Sequence, residues 1–491
     1  MGVMRFAVPS NVLNSWKEYE SAFLRGIDGR VFPTTVSLVG EELQCRRPLS
    51  DSCKLSVPWN VEGIGTPILT TTSLRERDEP YSLVLELARG KLAEVRDQWS
   101  IWEMAKMVVP DKFREVQAAA FKKFAHASSV QHDEAKSQDS AQQAIRLACE
   151  AASLLANTYI VQRMSSIRRS SKHPPSLLGT ALDETVLKLD QEQILGKAFT
   201  TASVPVCWEN IEPEEGQYNW SVVDKLVACC TQNRLICRGG PLINLGPGGL
   251  PKWLAPWKND FLNLPSFVCD FVDTAVSRYV GLIRIWEVSA GGNTGGAMEL
   301  NEEQRLSLVA RTLETALRTD SDSQFFIRIE QPWGEYQKSG EQRLSPFQFV
   351  DALIRSNLGL HGITLNINAG FTYPGCLSRD LLSVSKLIDL WSILGVQIHI
   401  NLACPSSDQS DPLADQNISV RNVLAAPWDE EIQAEWFERM VPMLMAKPSV
   451  TGVYVEQFSD AVPHRFPNAG LLNSSSEPKK MLTPIQRQDF R

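Results

Sequence analysis

Glu330 and Glu456 are the residues of this 491-residue chain best placed to do chemistry. Each ends an apolar, β-prone run, FFIRIEQ (325–331) and VTGVYVEQF (450–458). At a strand end a carboxyl meets both solvent and ligand. Two carboxyls roughly 5–10 Å apart across one cleft can protonate a leaving oxygen and attack, or activate water, from the other side. Residues suited to holding a polyol surround them in the sequence. Trp333, Glu335 and Tyr336 follow Glu330, and Trp208 and Glu209 end FTTASVPVCW with its next residue. Asn366 and Asn368 alternate in GITLNINA, as His399 and Asn401 do in VQIHINLA, so each pair projects to one side of its strand. Gln457, Asp460 and His464 follow Glu456, and Asn293 lies in the glycine-rich stretch after LIRIWEVS. Aromatic faces match the C–H groups of a sugar ring, and amides fork hydrogen bonds to hydroxyls. These thirteen residues form the candidate substrate-binding set. Each also has a plainer reading, as loop carboxylate, rim aromatic or core histidine. Glu287, one layer deeper, needs a buried partner, for which Arg284 and Arg328 are the candidates.

Other chemistries lack their residues. No H-x-x-x-H, H-x-H or Cys/His cluster suggests a metal, and no G-x-S-x-G elbow is present. Neither G-x-G-x-x-G nor G-x-x-x-x-G-K-[ST] occurs, so no cofactor is expected. Ten cysteines without a C-x-x-C pair read as small buried hydrophobes of a reducing compartment. Lys and Arg number 49 against 57 Asp and Glu, a net charge of −8, which disfavours nucleic acid and anionic membranes as partners. No apolar run approaches the roughly 20 residues of a membrane span, and MGVMRFAVPS lacks a signal-peptide pattern, so a cytoplasmic location is expected.

The elements that would position these residues fall into three regions. Residues 1–80 alternate short β-prone runs with turns and read as a small β-rich module, a carbohydrate-binding one or a structural cap. Residues 81–172 carry apolar residues at helical spacing, with Trp99 and Trp102 as core, and end in the basic linker SSIRRSSKHPP. From 173 to 491 strand, loop and helix repeat. Eight near-continuous apolar strands are predicted, at 176–182, 199–208, 234–242, 282–289, 325–331, 362–369, 396–403 and 450–458. That pattern implies an α/β fold, a closed (β/α)₈ TIM barrel preceded by the β-rich module and the helical region. Chemistry then belongs at the C-terminal strand ends.

The segment WENIEPEEGQYNWSVVDKLVACCTQNRLICRGGPL (208–242) resembles the second-to-third-strand stretch of glycoside hydrolase family 10, the xylanase family, and VTGVYVEQFSDAVPHRFPNAGLLNSSSEPKKML resembles its last strand and closing loop. The resemblance covers about 174–482. It implies retaining hydrolysis of a β-1,4 glycan by two glutamates, after strands four and seven. It also places those glutamates on Gly291 and Leu402, the supporting histidine on Gly240, a lysine on Cys207 and a strand-eight tryptophan on Glu456. The whole constellation is thus replaced. The expected function is a divergent homologue that binds an oligo- or polysaccharide and hydrolyses it, if at all, with relocated carboxylates. The alternatives are a catalytically inactive carbohydrate-binding barrel, or an assembly protein using the helical arm.

Overall fold

The computed structural model describes residues 2–13, 16–171, 176–258 and 260–486. Its N-terminal strands are β1 (Gly2–Ala7), β2 (Phe23–Arg25), β3 (Thr35–Val39), β4 (Glu42–Arg47), β5 (Lys54–Pro58), β6 (Ile68–Thr70) and β7 (Tyr81–Ser82), with a short helix α1 (Ser10–Leu13). They form two small sheets, β3-β4-β1-β7 and β2-β5-β6. Three helices follow, α2 (Leu83–Met104), α3 (Asp111–Ser129) and α4 (Glu134–Ser170). Asp133 caps α4 by accepting from the Lys136 amide, so HDEAKSQDS is a helix start. The helix then runs to Ser170, through half of the predicted linker, whose residues 172–175 lie outside the described residues. By length and composition α4 would also suit a membrane crossing, but its Ala141, Ala144, Ile145 and Leu155 lie in the protein core. Leu43 and Leu55 from the strands share one apolar cluster with Leu83, Leu87 and Ile145 from the helices. Trp102 is core too, stacked on Tyr159 at 4.3 Å.

The remaining residues close into the predicted barrel. Its eight strands are β8 (Leu177–Ala181), β9 (Thr201–Val204), β10 (Ile236–Gly239), β12 (Ile285–Ala290), β13 (Gln324–Ile329), β14 (Gly362–Asn368), β15 (Gln397–Ala403) and β16 (Val450–Val455), and a two-residue strand β11 (Ile243–Asn244) flanks β12. All pair in parallel, and the ring closes where Gly452 of β16 meets Leu177 of β8 and Arg238 of β10 meets Ile285 of β12. Among the described residues nine α-helices accompany them: α5 (Leu189–Ala198), α6 (Trp208–Ile211), α7 (Ser221–Gln232), α8 (Leu264–Arg278), α9 (Glu302–Thr319), α10 (Pro346–Arg355), α11 (Leu381–Ser392), α12 (Glu430–Met445) and α13 (Leu482–Gln486).

Strand alternation sorts the side chains. On β14, Ile363, Leu365 and Ile367 join the apolar layer beneath the helices, which leaves Thr364, Asn366 and Asn368 for the barrel interior. On β13, Phe325, Ile327 and Ile329 go outward, and Phe326, Arg328 and Glu330 inward. Barrels of this kind are ordinarily filled by branched apolar residues. This one holds arginines, glutamates and amides.

The N-terminal strands dock on the loops at the C-terminal end of the barrel. Ile68 donates its amide to Ser378, Thr66 to Val423, and Thr34 to Lys338, while Arg25 reaches the Trp333 carbonyl at 3.2 Å. Those loops follow the fifth, sixth and seventh barrel strands.

Candidate active site

The deepest described level of the barrel is aromatic. His399 lies flat on Phe326, ring centroids 4.0 Å apart, beside Tyr454. Gly452 makes this possible, since a Cβ there would come within 2.7 Å of the imidazole. Burial, with help from the Arg238 charge, holds His399 well below the usual histidine range, and its Nδ1 has no partner among the described residues. It has the surroundings of a neutral core histidine and lacks the acceptor a general base would need.

Two hydrogen-bonded chains climb from there toward the strand ends. In the first, the Arg238 guanidinium lies 3.7 Å over the Tyr454 ring and donates to Ser203 Oγ (3.1 Å) and Asn401 Oδ1 (3.1 Å). Asn401 donates to Asn366 Oδ1 (3.2 Å), and Asn366 Nδ2 reaches both Glu330 oxygens at 2.9 and 3.0 Å. In the second, Arg328 donates twice to Glu287 Oε2 (2.9 and 2.5 Å) and once to Glu456 Oε1 (3.2 Å). Arg328 is therefore the partner Glu287 requires, while Arg284 is exposed.

The two glutamates on Arg328 sit in opposite electrostatic situations. Burial alone would raise the fully enclosed Glu287, but the Arg328 and Arg238 guanidiniums outweigh it and hold its carboxyl below the ordinary range. Glu456 goes the other way. Burial pushes it up, the charges of Glu330 and Glu287 add to that, and Arg328 and Arg465 oppose without winning. Arg465, seated 4.4 Å over the Tyr373 ring, faces both Glu330 and Glu456. Glu456, biased toward its protonated form, and Glu330, held by the Asn366 amide with Arg465 nearby, thus share one end of the barrel.

The other candidate residues are spread over five places. Asn293 braces Glu330, donating to its carbonyl (2.8 Å) and accepting from its amide (3.2 Å). Trp333, Glu335 and Tyr336 lie where the N-terminal strands dock. Trp333 is 7% exposed, with Arg379 4.7 Å over its ring. Arg379 also pairs with Glu335 at 2.5 Å, and the Tyr336 hydroxyl donates to the Leu344 carbonyl. Gln457, Asp460 and His464 form a cluster beyond β16. Gln457 donates to Asp460 (2.7 Å), Asp460 pairs with Lys479, and His464 Nε2 lies 2.9 Å from Asp411. Asp411, Asp460 and His464 bring donor atoms within 4.8 Å of one another, but the Lys479 ammonium already supplies the positive charge there. Trp208 and Glu209 stand apart. Trp208 is stacked on Phe271 and donates to Glu212, and Glu209 faces Lys252 on the outside. Asn368 is buried with its Oδ1 unpartnered among the described residues.

Comparison with known proteins bears on this arrangement. Residues 166–293 match the model of glycosyl hydrolase family 10. Endo-1,4-beta-xylanase B of Thermotoga neapolitana is 34% identical over 264 residues, 52% of this chain and 67% of that protein. The chain belongs to glycosyl hydrolase family 10. Endo-1,4-beta-xylanase A of Phanerodontia chrysosporium is 24% identical over 266 residues; the chain spans 61% of its length, and 32% of endo-1,4-beta-xylanase 3 of Hypocrea jecorina. Among solved structures, xylanase 10B from Thermotoga petrophila RKU-1 in complex with xylobiose is 17% identical, covering 64% of this chain and 95% of that one with a TM-score of 0.48.

The positions that the resemblance singles out can be placed in this barrel. The family-10 signature around Glu212 is structural here: its carboxylate accepts from the Trp208 indole (2.6 Å) and from the Gly216 amide (2.7 Å). Gly291, where the resemblance puts one glutamate, has φ +67°, and a Cβ would stand 2.6 Å from the Gly246 nitrogen. Leu402, where it puts the other, is fully buried in the apolar layer under the helices. Glu456 is the inward residue that ends β16.

Sequence reading passed over Arg238, which grips Asn401, and Asp183 beyond β8, which burial and Asp460 push up to about 7. The signal for Arg238 was present: a lone charge inside the apolar run RLICRGGPL must face the interior and find partners there.

Proposed function

We propose that this family-10 barrel engages a β-linked polysaccharide without cleaving it by the family's paired-glutamate route. The carrying observation is the pair Gly291 and Leu402. One has a left-handed backbone with no room for a side chain, and the other belongs to the apolar layer outside the barrel interior. Xylan is the first ligand to try, because the relatives are named endo-1,4-beta-xylanases.

Glu456 favours a second reading, hydrolysis with relocated acids. A carboxyl raised by burial suits a proton donor, and Glu330 faces it across Arg465. One experiment separates the two. The protein is run on native gels containing xylan, β-glucan or mannan, and incubated with each while reducing ends are counted. Retardation without new reducing ends is expected. Reducing ends that disappear in Glu330→Gln or Glu456→Gln would establish the second reading, and no retardation on any polysaccharide would overturn both.

A further inference from the structure

A groove of about 950 Å³ opens in the N-terminal region, between the loop after β1, the loop after β5 and the first turns of α4. Its size is near the top of the roughly 300–1,000 Å³ typical of small-molecule sites. Trp16 and Trp59 line its base, packed edge to face at 5.2 Å. Both indoles are fixed from within: Trp16 donates to the Pro58 carbonyl (3.0 Å) and Trp59 to Gln142 (2.9 Å), which in turn holds the Asn60 carbonyl (2.9 Å). Around this rigid base stand Glu18, Glu62 and Asp139, with the amides of Asn11 and Asn60. No lysine or arginine lines the groove among the described residues.

We infer that this groove is a second, non-catalytic binding site for a neutral oligosaccharide. Three carboxylates without a cation repel phosphates, sulfates and acidic sugars. Planar carboxylates and amides accept from and donate to pairs of adjacent hydroxyls. The small part of the indoles that reaches the groove, 5% of Trp16 and 3% of Trp59, gives its floor an apolar surface beside those polar groups. A fatty or aromatic ligand would leave those polar groups desolvated and unpaired. Only the choice of β-linked oligomers as probes rests on the glycan reading of the barrel.

The test is calorimetric titration of the full-length protein with xylohexaose and cellohexaose, with spermine as a charge control. Wild type is compared with Asn60→Ala/Glu62→Ala/Asp139→Ala, all three exposed, and with the barrel variant Glu330→Gln/Glu456→Gln. Thermal midpoints confirm that every variant is folded. The triple change is expected to weaken one of the oligosaccharides about tenfold or more, the loss of two or three hydrogen bonds. Unchanged affinity in the triple variant overturns the inference, as does binding of spermine alone. Sugar binding lost only in the barrel variant sinks the groove while sparing the barrel, and loss only in the triple variant does the reverse.

Discussion

Replacing Arg328 by methionine removes the cation that two buried glutamates share. The side chain keeps its approximate length, so the loss is electrostatic. Glu287 is fully buried and would keep the more distant help of Arg238 and the weaker help of the Thr364 hydroxyl. Breaking a buried ion pair from one side costs about 3–5 kcal/mol, because the remaining charge is desolvated without compensation. The sign of its pH dependence follows from the direction of each shift. In the wild type Glu287 titrates below its unfolded value, so it contributes stability above the unfolded pKa, which fades as pH falls through the folded one. Without Arg328 burial dominates and the folded pKa rises above the unfolded value. The group then costs stability at high pH, and the cost shrinks as pH falls and the carboxyl takes up a proton. Urea-unfolding midpoints at pH 7.5 and pH 5 should therefore show a large deficit that narrows on acidification, by up to about 1.4 kcal/mol per pH unit for each titrating carboxyl. Adding Glu287→Gln to Arg328→Met should recover part of the loss at pH 7.5. A deficit below about 1 kcal/mol, or one equal at both pH values, would refute the view of Arg328 as the charge that holds this interior together.

Gly291→Ala should destabilise the barrel by about 2–5 kcal/mol, from roughly 1–2 for a left-handed L-residue and roughly 1–3 for the overlap with Gly246. A thermal shift worth less than about 1 kcal/mol would mean that a side chain can stand there after all. Thiol chemistry checks the burial: the buried Cys45 and Cys149 are pushed up to about 12 and the buried Cys53 to about 11 by desolvation, while Cys269 is half-buried. An aromatic disulfide reagent at pH 8 should modify Cys269 well before those three, which react only on unfolding; rapid labelling of any of them would count against the packing described.

The eight barrel strands were legible because each is a short apolar run bounded by turn residues, and period two correctly paired Asn366 with Asn368 and His399 with Asn401. That Glu287 needs an arginine also followed from burial alone. What the residues could not reveal was who pairs with whom across the ring. Asn366 reads as a sugar ligand in isolation, yet its Nδ2 is spent on Glu330, a residue 36 positions away. Trp333 looks like a stacking platform until Arg379 is seen to cover its ring. Such partners depend on the register of neighbouring strands and on how the N-terminal region docks, neither of which local pattern encodes. The helix end at Ser170 was also missed, since a basic, serine-rich stretch reads as linker although arginines are welcome in a last helical turn.

The docking of the first strands on the rim has a consequence for how the molecule comes into being. Arg25 and the Trp333 carbonyl are 308 residues apart in the chain. At about 5–20 residues per second, a ribosome needs roughly 15–60 s to make the second after the first. Throughout that interval β6 has no Ser378 to receive its Ile68 amide, and the nascent N-terminal sheets keep an open edge in a crowded cell. These N-terminal strands are made long before the loops that become their permanent neighbours, so helpers that shield unpaired strands during synthesis should matter more for this chain than for a barrel without such a docked region.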